Sequence, residues 1–280
     1  MQAFFLDSAD GTQRFCVHHA AQGPTKRGQL LYLHPFAEEM NKCRRMAALQ
    51  ARAFAAAGYD VLQIDLLGCG DSAGDFGDAS WQAWVDDALL GCRWLQSRPD
   101  PAPLWLWGLR AGCLLAVETL RQLNGPAHLL LQQPPASGKH LLQQFLRLKV
   151  AGEMRDGANK GLMAELRSAL GRGETVEIAG YLLAPALAEG LEAATLQPPK
   201  GATPGRLVWL ELNARVDAEW TPLSSQAQQR WHDAGWQLDA HQLIGPAFWQ
   251  TTEIEESPEL LDTSLSGLAI SLPAGNRTLA

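Results

Sequence analysis

Four short apolar runs constrain this chain more than any other feature: QLLYLH (29–34), YDVLQIDLL (59–67), PLWLWG (103–108) and HLLLQ (128–132). None alternates apolar with polar residues, so each predicts a strand buried on both faces. Segments at helical spacing stand between them. KCRRMAALQARAFAAA (42–57) stops at Gly58, and SWQAWVDDALLGCRWLQ (80–96) offers Ser80 as its N-cap. Strand and helix in repetition predict an α/β fold, a mostly parallel sheet with helices on both faces. Two shorter strands, FFL (4–6) and RFCVHHA (14–20), precede it, with Asp10-Gly11 as a hairpin turn.

The rhythm changes from 136 to 198. LLQQFLRLKV, GLMAELRSALG and EIAGYLLAPALAEGLEA read as helical with no clear strand. The sheet resumes at RLVWLEL (206–212), followed by a helix, SSQAQQRWHDAGW, and a last strand, WQLDAHQLI. A core over 1–135 and 199–262, a helical insertion over 136–198 and a mobile C-terminal tail over 263–280 are therefore expected.

At 280 residues the chain can bury a large core, and a formal net charge of -7 argues against a nucleic-acid surface. No run reaches the roughly 18 apolar residues of a membrane span. MQAFFLDSAD lacks the basic n-region of a signal peptide. The cysteines Cys16, Cys43, Cys69, Cys92 and Cys113 are scattered with no CxxC pair, which fits reduced thiols in the cytoplasm. No metal and no cofactor is expected. GCGDSAG (68–74) does fit G-x-G-x-x-A, but no helix opens after it, and Asp75 and Asp78 would repel a pyrophosphate.

In WLWGLRAGCLLAV (105–117) a buried strand, a glycine turn and an apolar helix follow one another, the setting of G-x-S-x-G. Between Gly108 and Gly112 the chain carries Arg110, a permanent cation with no lone pair for attack. QLLYLHPF, QIDLLGCGDSAG and WLWGLRAG stand in the order of three marker segments of the α/β-hydrolase fold. The chain resembles that fold over at least 29–135 and again over 206–250, which would make 136–198 its cap. HPFAEEMNKCRR, GDFGDASWQAWVDD and GPAFWQTTEIEE resemble a narrower bacterial group, the exosortase A system-associated hydrolases of type 2, linked to exopolysaccharide and protein-sorting loci.

The resemblance implies an ester or thioester hydrolase with a serine, an acid and a histidine in that chain order. Position by position, the serine becomes Arg110 and the acid falls on Asp217. The histidine would lie in IGPAFW (244–249), which holds Gly245, Pro246, Ala247 and Phe248 instead; His241 is upstream in the last strand. The oxyanion donors would be the amides of Phe36 and Ala111. His34, Cys69 and Trp249 are expected to line the pocket, as Trp220 and Trp236 could, whereas Trp105, Trp107 and Trp209 are core. Cys113 reads as a small buried apolar residue, Ser72 as a shaper of its loop, and Glu38 and Glu39 as a solvated loop or the first turn of a helix.

Two functions follow. One is a hydrolase with a rewired triad. The other is a non-catalytic binding protein, a pseudoenzyme, recognising a small anionic or acyl ligand, or a protein partner in the exopolysaccharide or sorting pathway. Arg110 either grips a carboxylate, phosphate or diphosphate, or pairs with Asp217 or another buried carboxylate.

Overall fold

The structure, a computed structural model, describes residues 1–154, 161–215 and 217–269. Its main sheet has eight strands: β1 (Gln2–Asp7), β2 (Gln13–His19), β3 (Gly28–Leu33), β4 (Tyr59–Ile64), β5 (Leu104–Leu109), β6 (His128–Gln132), β9 (Arg206–Asn213) and β10 (Gln237–Ile244). Their spatial order is β1-β2-β4-β3-β5-β6-β9-β10. All pairings from β4 to β10 are parallel, and the β1–β2 hairpin joins β4 antiparallel.

Alternate residues of the buried strands feed two cores. Leu30, Val61, Trp105, Trp107, Leu130 and Val208 face α1 (Glu38–Ala56) and α8 (Pro258–Ala269). Leu31, Leu62, Leu106, Leu129, Leu207 and Trp209 face α2 (Trp81–Gln96), α3 (Ala111–Gln122) and α7 (Pro222–Asp233). Each such side chain contributes about 1.5–3 kcal/mol on burial, so the register cannot slip by one residue without exchanging the cores. Ser80 caps α2 as the sequence predicts, its hydroxyl accepting from the Ala83 amide at 3.1 Å. Buried Arg14 pins the hairpin to α2, donating to Asp87 at 2.6 Å.

Three expectations need correction. The segment between β6 and β9 is not wholly helical. Alongside α4 (Gly138–Met154), α5 (Leu162–Gly171) and α6 (Pro185–Ala193) it holds a hairpin of β7 (Val176–Ile178) and β8 (Tyr181–Leu183). Its turn, Ala179-Gly180, takes positive φ at both positions, which masked the two short strands. The helix expected to begin at 42 begins at Glu38, where two carboxylates favour the amino-terminal end of the helix dipole. Residues 263–269 of the expected mobile tail form the second half of α8, because Leu260, Ser264 and Leu268 recur at helical spacing and are buried. The rest of that tail, 270–280, lies outside the described residues. No helix among the described residues is long and apolar enough to cross a membrane.

The topology also says where a ligand would bind. β4 and β5 flank β3, so the direction of winding reverses between β3 and β5. In open parallel sheets the crevice outside the carboxyl ends at such a point is the usual site.

Candidate functional site at the strand ends

The strained backbone gathers at that crevice. Ala37, Arg110 and Gln133, just past the ends of β3, β5 and β6, have φ of 48°, 54° and 49°, a region costly for side chains other than glycine. Such outliers persist where surrounding structure over-determines them. At the elbow the determinant is close approach. A Cβ on Gly112 would collide with the Leu33 carbonyl, and one on Gly108 with the Gly112 carbonyl. The Arg110 amide donates to the Gln132 carbonyl at 3.0 Å, and its own carbonyl accepts from the Cys113 amide at 3.0 Å.

Arg110 is 7% exposed, and so is its partner Glu39, in the first turn of α1. Nη2 donates to Glu39 Oε1 at 3.0 Å, and Nε lies 3.2 Å from both carboxylate oxygens. A longer bond of 3.4 Å runs from Nη2 to Gln144 on α4. The guanidinium also lies over the Trp249 ring, 5.3 Å from its centroid. Burial raises the Glu39 carboxyl above its ordinary value, and Arg110 offsets part of the rise. Of the two partners left open for Arg110, the structure selects another buried carboxylate. Much of the guanidinium fork is taken by protein, so the expected anion grip by Arg110 itself has Glu39 as its anion.

Asp217 lies elsewhere. Its side chain is 76% exposed and pairs with Arg215 at 3.1 Å, which holds its carboxyl below the ordinary range. His241 lies within β10 and bonds Asp239 at 2.7 Å. Trp249 occupies the loop in which a histidine was sought. The amides of Phe36 and Ala111 flank the elbow, and the Phe36 ring packs against Phe145 of α4 at 5.0 Å.

A cavity of about 430 Å³ opens beside the ion pair, walled by α1, α4 and the loop after β10, with Phe36, Glu39, Lys42, Phe145, Arg147 and Trp249 among its lining. Trp249 lines this cavity, and His34 and Cys69 do not. Buried His34 contacts the Pro35 carbonyl through Nδ1 at 2.7 Å and accepts from the Leu66 amide at Nε2. One donor and one acceptor specify the neutral Nδ1–H ring, and burial lowers its pKa. It faces a different cavity. Cys69 is packed in the apolar core, and burial pushes its thiol well up. Cys113 is equally buried, its sulfur 3.2 Å from the Gly108 carbonyl. Trp236 packs edge-on against Trp231 at 4.8 Å rather than lining the cleft, and Trp220 rests partly buried against the core. Ser72 shapes its loop as expected, accepting from the Phe15 amide at 2.8 Å and donating to the Asp65 carbonyl.

Sequence reasoning missed Glu39 as a site residue. The available signal was the acidic pair ahead of a helical run, which marks a first turn; once placed there, Glu39 points inward with Met40 and Cys43.

The family model for serine aminopeptidases of the S33 kind matches residues 24–155. The lysophosphatidylserine lipase ABHD12 of Danio rerio is 31% identical over 109 residues, which is 38% of this chain and 27% of that protein. The matched stretch is thus about a quarter of that relative's length. Est1E of Butyrivibrio proteoclasticus, solved with ferulic acid bound, superposes with a TM-score of 0.65 at 12% identity, over 94% of this chain and 97% of that one. A thermostable carboxyl esterase of Bacillus coagulans in complex with glycerol gives 0.61 at 13% identity, over 95% and 96%. The chain has the α/β-hydrolase fold.

Proposed function

We propose that this chain is a ligand-binding member of the α/β-hydrolase superfamily that does not carry out serine-based acyl transfer. The observation that carries this reading is the Glu39–Arg110–Trp249 cluster, which fills the elbow with an ion pair and an indole where attack and proton transfer would take place. The ligand class is an anionic amphiphile. Leu141, Phe145, Leu148 and Trp249 offer the cavity apolar walls, while Lys42 and Arg147 offer cations. Among the described residues Arg147 has no ion-pair partner, and Lys42 donates to the Gln250 carbonyl at 3.3 Å while its charge also acts on Glu38 and Glu39. The amides of Phe36 and Ala111 are the donors for an oxygen of the ligand, and the segment over 136–198 acts as the cap. The three segments resembling exosortase-associated hydrolases support a cytoplasmic role beside an exopolysaccharide or protein-sorting system.

Calorimetry with decanoate and a p-nitrophenyl butyrate assay test this together. Decanoate binds the wild type, and Arg147→Ala with Lys42→Ala weakens it about tenfold, some 1.4 kcal/mol. Ester turnover stays at the rate without protein. Turnover that disappears with Asp217→Ala overturns the proposal in favour of a rewired ester or thioester hydrolase, the reading its likeness to esterases and lipases supports.

A further inference from the structure

A second cavity lies on the α1 side of the sheet, away from the elbow. It measures about 250 Å³ between α1 and the faces of β2, β3 and β4. Phe15 and Val17 of β2, Ile64 of β4 and Met40 of α1 are its apolar walls. The space exists because α1 presents Ala47 and Ala48 there, where longer side chains would meet the sheet. An apolar cavity of about 150 Å³ is already enough to admit benzene.

One polar group in it is unexplained. Tyr32 is 5% exposed, yet its hydroxyl makes no hydrogen bond among the described residues. Its oxygen is not sealed in the core but open to the chamber. Buried hydroxyls are normally satisfied, and an exception calls for a partner from outside the chain. Burial holds this phenol protonated, so it can donate. The other polar groups of the lining are spoken for. Arg44 pairs with Asp65 at 3.1 Å, His19 bonds Gln63 at 3.2 Å, and His34 is satisfied at both nitrogens. Arg44 and Asp65 neutralise each other, and Met1, which also lines the chamber, is 88% exposed, so among the described residues no buried unpaired ion faces the space.

We propose that this chamber is a second binding site, for a small uncharged ring compound carrying one hydrogen-bond acceptor, held by apolar contact and by the Tyr32 hydroxyl. It is independent of the elbow cleft and of any acyl chemistry there.

Acetophenone, which carries a carbonyl acceptor, and toluene, which carries none, are the probes, titrated into the full chain by calorimetry with methyl NMR to locate them. Acetophenone is expected to bind with a Kd of about 1 mM or tighter, shifting the methyl signals of Met40, Val17 and Ile64 and not those of Leu141 and Leu148. Tyr32→Phe weakens acetophenone about fivefold to tenfold, the worth of one hydrogen bond, and leaves toluene unchanged. Ala48→Leu, whose side chain takes up the chamber from a half-buried position of α1, abolishes binding of both. The proposal is overturned by no binding, by shifts confined to Leu141 and Leu148, or by a folded Tyr32→Phe protein with unaltered acetophenone affinity.

Discussion

Removing one member of the Glu39–Arg110 pair leaves the other charged and out of water. Arg110→Ala is therefore expected to cost about 3–5 kcal/mol, while the double change Glu39→Leu with Arg110→Met recovers most of it. Urea unfolding of the three variants measures this; a single variant within 1 kcal/mol of the wild type, roughly the worth of an exposed pair, would mean that the two charges reach water. Gly112→Ala is expected to be worse tolerated than alanine at Gly152, where nothing lies within 4 Å of an added Cβ. Soluble yield and melting temperature compare them. At this scale the sequence is legible where a residue type has one physical use. Gly108 and Gly112 declared an elbow, and Arg110 declared that a buried anion must exist. Which anion was illegible, because Asp217 and Glu39 are both remote from Arg110 along the chain, and only the docking of α1 brings Glu39 within reach.

Among the elements, α2 rests on its cap, so Ser80→Ala should lower stability by about 1 kcal/mol, read by denaturant titration. The β1–β2 turn carries a pH dependence. The Asp10 carboxyl is lowered from 3.8 to about 2, first by the hydrogen bond from the Thr12 hydroxyl, then by the Thr12 amide and Arg14. A depressed carboxyl stabilises the fold above its unfolded value, and that contribution is lost as pH falls from about 4 towards 2. Asp10→Asn should flatten the acid limb of the melting-temperature profile in that window and leave its shape near neutrality unchanged. Unbroken apolar runs made the buried strands readable to within three residues, since nothing but a doubly covered strand suits them. Boundaries set by tertiary contact were less readable. The start of α1 depends on Glu39 finding Arg110, and the extension of α8 depends on Ser264 and Leu268 meeting the sheet.

For the whole molecule, five free thiols are enclosed in the two cores. Ellman's reagent is expected to modify none of them in the native protein over minutes and all five in denaturant; a fast-reacting thiol would point instead to an opened face of the sheet. Fold class follows from alternation of strand and helix, because right-handed crossovers leave few ways to wind such a chain; the order of the strands, and with it the crevice between β3 and β5, is set by the tertiary structure. What occupies the crevice did not follow. Its walls come from α1, α4 and the loop after β10, which meet only in three dimensions.

The ion pair at the elbow also bears on how such a site can change over generations. Placing a hydroxyl at 110 alone strands the Glu39 carboxylate in the crevice, and removing Glu39 alone strands the guanidinium, so either single change is expected to lower stability. The pair therefore ties the two positions together: folding alone makes a joint replacement easier to accept than either single step.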